Sequence, residues 1–409
     1  MNSTFVHQVE LAGPLGDVRT DPHEAARVLV RLHGVPLGFL ELAAPGGLLG
    51  AAALARAVAA ELDVGAHLDA DGIASPTAPA PVGGWACQAG GPFPPPSGVS
   101  VVLCTRDRED LLRTALASVL AALGPADEVV VVDNAPRTDA TAKVVQELAD
   151  PRVRYHLEPR PGLSTARNSG ARAARGALLA FTDDDVVVDA GWIGGLTRGF
   201  TRAARVGCVT GLVPSAELDT EAQHFFDRKV QWSSSCTPRV FDLDLHRGDG
   251  VLYPYSAGVF GTGANFAVSR EAFDALGGFD EALGAGAPTR GGEDLDWFVR
   301  TLNAGFALSY EPGAVVWHRH RRDLDALRDQ LYGYGTGLTA YLAKHALTRR
   351  GSADLSRRLV RGALLLGKAQ RASAEAGIDK ALLRRELVGM LYGPLLYVRA
   401  RRAVRRAGR

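Results

Sequence analysis

The chain has 409 residues, 46% of them hydrophobic and 22% charged, with a formal net charge of +1. That length exceeds one compact core and predicts two or three domains of a soluble globular protein. No run of 18 uninterrupted apolar residues predicts a transmembrane helix, the opening MNSTFVHQVE lacks the regions of a signal peptide, and Cys87, Cys104, Cys208 and Cys236 form no CxxC pair, so a reducing cytoplasm is the expected location.

Residues 1–73 read as a small α+β unit. Arg27–His33 and Pro36–Leu42 predict two strands joined by a short turn, and an Ala/Leu-rich helix follows from Gly47 to Leu62. Ser75–Gly98 carries seven prolines, and residues 74–98 read as a linker across which few contacts should pass.

The pattern changes at Val99. VSVVLC (Val99–Cys104), EVVVVD (Glu128–Asp133), VRYH (Val153–His156) and ALLAFT (Ala177–Thr182) predict four short strands. Helical spacing appears between them, at Leu111–Leu123, Thr138–Leu148 and Ser164–Arg175. Alternating strands and helices predict a mostly parallel sheet flanked by helices, with ligands beyond the carboxyl ends of the strands. Asp107, Asp133 and the run Asp183-Asp184-Asp185 all fall at such ends. Three adjacent acids repel one another and need water or a cation. A solvated turn and a metal site are the two readings of that run.

From Leu324 to Arg409 the pattern is helical, interrupted at Gly333, Gly335, Gly337, Gly351, Gly377 and Pro394. Between Lys344 and Arg409 there are 17 Lys plus Arg against 4 Asp plus Glu, while the rest of the chain is net acidic. Apolar residues accompany the charge, at Leu359, Val360 and Leu364–Leu366 and again at Leu391 and Leu395–Val398. Such a tail fits either an anionic membrane surface or the acidic body of the chain itself. No aromatic interleaving or reading module accompanies it, so no nucleic-acid partner is expected.

VSVVLCTRDRED, EVVVVDNAP, GLSTARNSGARAARGALLAFTDDDVVV and GGEDLDWFVR, in that order, resemble glycosyltransferase family 2, whose members are inverting enzymes of the GT-A fold. The resemblance covers about residues 99–323, leaving 324–409 as a helical basic region. It implies a nucleotide-diphosphate sugar donor, a hydroxyl acceptor (lipid-linked, glycan or small molecule) and a divalent cation, Mg²⁺ or Mn²⁺. TDDDV is similar to the family's DxD motif. By that likeness Asp183 and Asp185 ligate the metal, and Asp183 and Asp184 also meet the donor.

Thr105, Asp107 and Asp133 match the family's nucleotide-binding positions, and Arg167 in GLSTARN is its phosphate or sugar contact. Asn134 stands where many relatives have a second Asp. GGEDLDW matches the acceptor-side acidic motif, with Asp294 as the base and Glu293 orienting it or binding acceptor. In VVWHRHRRD, His318 and then His320 are candidates for the metal or diphosphate. Gly263, Ala264 and Asn265 would line the donor–acceptor junction. The resemblance further implies attachment to the cytoplasmic membrane face for enzymes with lipid-linked acceptors. Two rival readings are a sugar nucleotidyltransferase, whose Gly-rich opening loop CTRDRED does not provide, and a non-catalytic nucleotide-sugar-binding protein, which would have lost the acids present here.

Overall fold

Strand β6 (Val99–Thr105) and strand β7 (Glu128–Asn134) are buried almost throughout. The cause is a core on each side of them. Val101, Leu103, Val129 and Val131 face one apolar cluster; Val102, Cys104, Val130 and Val132 face another. Period-2 alternation therefore carries apolar residues on both faces, as a sheet covered by helices on both sides requires. The computed structural model describes residues 3–62, 98–230, 234–248, 250, 252–348 and 380–407. The stretch 74–97 that reads as a linker, and the apolar runs between Leu359 and Leu366, lie outside these.

The helix α2 (Glu109–Ala122) follows β6, and α3 (Ala140–Leu148) follows β7. Then come β8 (Val153–Glu158), α4 (Leu163–Ala173), β9 (Leu178–Thr182) and β10 (Val186–Val188). The chain continues through α5 (Trp192–Gly199), β11 (Val206–Leu212), α6 (Glu221–Lys229), β12 (Arg239–Phe241), β13 (Asn265–Ser269), α7 (Arg270–Leu276), α8 (Glu293–Asn303) and β14 (Ala307–His318). Together they build a nine-stranded sheet in the order β10-β14-β11-β13-β9-β6-β7-β8, with β12 on β14. Strands β8, β7, β6 and β9 are all parallel, so their carboxyl ends share one edge. Beyond them β13 is antiparallel to both neighbours, and β14 lies parallel to β11. The expected α/β class with its largely parallel sheet is what the chain forms.

The N-terminal residues form a second, three-stranded sheet in the order β1-β3-β4, from β1 (Phe5–Glu10), β3 (Ala25–Leu32) and β4 (Val35–Ala43). Two short strands, β2 (Val18–Arg19) and β5 (Leu48–Leu49), pair with each other beside it, and α1 spans Ala51–Glu61. The sequence predicts β3, β4 and α1 but gives no strand at β1, whose apolar residues are sparse. Contrary to the expectation of few contacts with the rest of the chain, β3 and β4 pack Leu29 and Phe39 against Leu212, Val315 and Trp317.

At the other end, α9 (Leu324–Ala346) runs unbroken through Gly333, Gly335 and Gly337, and α10 (Lys380–Ala407) through Pro394. The glycines predicted as interruptions are instead points of close approach. A Cβ at Gly335 would lie 2.1 Å from the Glu386 carbonyl oxygen, and one at Gly389 would lie 2.3 Å from that of Tyr332. Helices α9 and α10 therefore pack backbone against backbone. No helix among the described residues is long and apolar enough to cross a membrane.

Candidate active site

Strand β9 is fully buried up to Thr182, and the three acids follow where the sheet ends. The short β10 then turns back and pairs antiparallel with β14, which puts Val186 opposite His318. Asp183, Asp185 and His318 thereby each offer a ligand atom within 4.8 Å of the others. His318 Nε2 lies 3.4 Å from Asp185 Oδ1. Two carboxylates and an imidazole form a donor set suited to a hard or borderline divalent cation. Burial lowers the pKa of His318, so the imidazole is held neutral, as a ligand must be.

Asp184 points away from that trio. It accepts from Thr105 Oγ1 at 2.8 Å and from Arg108 Nη1 at 2.9 Å, and Arg108 also reaches Asp185 Oδ2 at 3.5 Å. Burial raises its pKa, and Arg108 and Thr105 oppose that shift. His320 stands behind His318. Its Nδ1 is 3.1 Å from His318 Nδ1, and its ring packs on Phe226. Burial pushes its pKa down to about 3, with the neighbouring His318 and Arg321 adding to the shift.

Arg167, on α4, is 1% exposed yet charged. Its guanidinium contacts Asp183 Oδ1 at 3.3 Å, Glu293 Oε1 at 2.9 Å and the Gly263 carbonyl at 2.9 Å. Burial alone would lower its pKa, but Glu293 and Asp183 more than offset that and the net shift is upward. Glu293 is pushed up to about 7 by burial and by adjacent Asp294, against the pull of Arg167. Asp294 is half-buried; its Oδ2 accepts from the Gly263 amide at 2.8 Å and its Oδ1 from the Leu295 amide at 2.8 Å. Space at Gly263 is tight: a Cβ there would lie 3.1 Å from Asp294 Oδ2 and 3.3 Å from Arg167, so these side chains would have to shift.

These groups share one cleft of about 810 Å³. Thr105, Arg108, Arg167, the three acids, Glu293, Asp294, His318 and His320 all line it, with Lys229, Arg290 and Arg321 adding positive charge. Three sequence candidates are not part of the lining, and one of them, Asn265, is fully buried with its amide donating to the Leu212 and Ala314 carbonyls. Asp133 is fully buried, with its Oδ2 accepting from Tyr155 at 2.9 Å. Asp107 accepts from the backbone and side chain of Arg137 at 2.9 and 2.8 Å, and the Arg137 backbone and side-chain hydrogen bonds lower its pKa.

Asn134 has a clear structural task. Its amide donates to the carbonyls of Glu158 and Arg160, and its oxygen accepts from the Gly162 amide. A carboxylate could not donate to those carbonyls, so Asp here would forfeit both bonds. Arg108, like Lys229 and Arg290, is a cleft residue that sequence reasoning passed over. Its signal was its place beside Asp107 at the end of β6, but its partners lie over 70 positions away.

Residues 100–277 match the family described as Glycosyl transferase family 2. The chain is 29% identical over 236 residues to a pre-mycofactocin glycosyltransferase of Mycobacterium tuberculosis, across 56% of this chain and 45% of that protein. It is 28% identical over 190 residues to a glucosyl-dolichyl phosphate glucuronosyltransferase of Haloferax volcanii, across 46% and 57% respectively. The chain thus spans about half the length of the curated relatives it matches. A mannosyltransferase from Pyrobaculum calidifontis, solved with GDP-Man and Mn²⁺, superposes with a TM-score of 0.47 at 17% identity over 76% of this chain and 88% of that one, a likeness too low to carry an inference.

Proposed function

Because residues 100–277 belong to glycosyl transferase family 2, we propose that the protein transfers a sugar, with inversion, from a nucleotide-diphosphate sugar to a hydroxyl acceptor. The observation that carries this reading is the meeting of Asp183, Asp185 and His318 within 4.8 Å in a cleft that also holds Asp294. Those three residues would hold Mg²⁺ or Mn²⁺, which when bound offsets the charge that builds on the departing diphosphate. The catalytic unit is taken as residues 99–323, flanked by the N-terminal unit 1–73, the linker 74–98 and the helical region 324–409.

The chain's own groups divide the remaining work. Arg108, Arg290 and Arg321 line the cleft and supply positive charge for the diphosphate. Arg167 ties Asp183 to Glu293, so the donor and acceptor sides are fixed to one guanidinium. Asp294 is the base that takes the acceptor hydroxyl proton. Backbone amides hold both its oxygens, while Glu293 is committed to Arg167 and serves to orient.

An anionic bilayer on the cytoplasmic side is the second partner in this reading. On α10, Leu387, Leu391 and Leu395 recur every four residues and are 40%, 80% and 48% exposed. Arg384, Arg402 and Arg405 continue the same exposed face at helical spacing. An apolar stripe bracketed by arginine fits a helix lying in the headgroup region.

The test is release of nucleoside diphosphate from a panel of nucleotide sugars with Mn²⁺. Release from at least one donor, abolished by EDTA, is expected. No release from any donor, or release indifferent to EDTA, would contradict the proposal.

A further inference from the structure

Strand β3 carries two messages in alternating positions. Ala26, Val28, Val30 and Leu32 fill the small core of the N-terminal unit. The intervening residues Arg27, Leu29 and Arg31 face the other way, where a free-standing two-layer unit would meet water. Here all three are engaged by the large sheet and its surroundings. Leu29 is fully buried against Leu212 and Val315. Arg31 makes a paired contact with Asp189, at 2.5 and 3.0 Å, with both side chains about one-tenth exposed. Arg27 meets Asp227 on α6, again with both side chains about one-tenth exposed or less.

Each arginine leads to a metal-donor segment. Asp189 immediately follows β10, the three-residue strand that begins directly after Asp185, and its amide donates to the Val315 carbonyl. Asp227 accepts from Ser215 Oγ at 2.6 Å. Ser215 bridges His318, whose amide donates to the Pro214 carbonyl while its carbonyl accepts from the Ala216 amide. The apolar patch between the two arginines includes Trp317, next to His318.

We infer that the N-terminal unit is a positioning element for the metal site, in which Arg31 and Arg27 brace from behind the two backbone segments that present Asp185 and His318. This rests on the metal-site reading above. Neither arginine touches the cleft, so neither is a catalytic residue. Their effect is on the spacing of donor atoms, to which metal affinity is sensitive through supporting hydrogen bonds. Arg is suited to the task because its planar fork fixes a carboxylate in two directions, which Lys cannot do.

The experiment uses the full chain and Mn²⁺ alone, with free Mn²⁺ read by electron paramagnetic resonance and backbone order by amide hydrogen exchange. Arg31→Met and Arg27→Met should weaken Mn²⁺ binding by about 10-fold and speed exchange in residues 183–190 and 314–319. Arg31→Lys should fall between wild type and Arg31→Met. Arg31→Met/Asp189→Asn removes both charges, so the variant folds without a lone buried acid and still lacks the brace. Arg19→Met, at an exposed pair with Asp21, should change neither readout. Faster exchange confined to residues 3–62, or Mn²⁺ affinity within twofold of wild type in all the Arg31 and Arg27 variants, would overturn the inference. Failure of the wild-type chain to bind Mn²⁺ would overturn the metal reading instead. The exchange comparison needs no metal and judges the brace by itself.

Discussion

Arg167 shows how much of the site hangs on one side chain. A guanidinium with this little exposure is tolerated only because Asp183, Glu293 and the Gly263 carbonyl meet it. Its counterpart Glu293 has a folded pKa of about 7 against an ordinary value of 4.5. A carboxyl with a raised folded pKa binds its proton more tightly in the native state, so stability is full below about 4.5 and is lost as pH rises through about 7. Between pH 5 and pH 8 Glu293 therefore lowers the melting temperature of the metal-free protein as pH rises, while His318 and His320, whose pKa values burial lowers, act in the opposite direction. Glu293→Gln should remove the downward part, so that melts of the variant rise relative to wild type across this range. Asp294→Asn should cut turnover by about two to four orders of magnitude with donor affinity nearly intact. Steady-state kinetics beside donor titration checks this, and an unimpaired variant would pass the role to Glu293. The run Asp183–Asp185 stood out in the sequence because it follows a strand, whereas Glu293, Asp294 and His318 stood out only through the family resemblance, and the structure brings all of them to one cleft. The roles of Asn134 and Arg108 were not legible, because what defines them is a set of partners far off in the chain.

At the scale of elements, the four parallel strands and the helices between them were legible because buried Val and Leu runs alternate with 3.6-residue periodicity. The short β10 was missed. Three valines after the acids are too short a run to stand out, and only pairing with β14 makes them a strand. The glycines of α9 were misread as interruptions, since local propensity cannot reveal a helix pressed against another backbone. Gly337 is the sharpest case. A Cβ there would lie 2.6 Å from the Gly291 carbonyl carbon, and one at Gly292 would lie 2.4 Å from the Gly337 oxygen. This contact seats the turn immediately before Glu293 and Asp294. Gly337→Val should destabilise the protein by about 1–3 kcal/mol through overpacking and lower turnover as the turn shifts. Calorimetry and kinetics on one variant test both; a melting temperature and rate equal to wild type would show that the contact does not matter. A buried charge network strengthens the same junction. Asp296 on α8 meets Arg300 at 2.8 Å, Lys344 at 2.8 Å and His345 at 3.2 Å, the last two from α9.

Across the whole molecule, the uneven charge of the chain has two distinct outlets. Some of the basic C-terminal region pairs with the chain's own acids: Lys344 with Asp280 and Asp296 in the interior, and Arg385 with Asp329 at the surface. The remainder lies outward on α10 beside its exposed leucines. Among the described residues, pairing with the acidic body is what these contacts show, and the outward face of α10 is where the proposed membrane contact would lie. Basic side chains near an anionic bilayer contribute on the order of 1 kcal/mol each, so flotation with anionic vesicles at low salt should carry the protein upward and neutral vesicles should not. Leu387→Ser/Leu391→Ser/Leu395→Ser should abolish flotation without changing the melting temperature; wild-type protein remaining at the bottom of the gradient would leave α10 without a membrane role. The N-terminal unit was visible as a unit, but its attachment was not, because Arg27 and Arg31 on a predicted strand look like an ordinary solvated face. The central claim is that Asp183, Asp185 and His318 hold the cation that carries the donor diphosphate. The most direct measurement is calorimetric titration of Mn²⁺ with the donor nucleotide into wild type and Asp185→Asn, a change that keeps shape and removes charge. The account predicts Mn²⁺-dependent nucleotide binding in wild type and its loss in the variant; undiminished Mn²⁺-dependent binding by Asp185→Asn would contradict it.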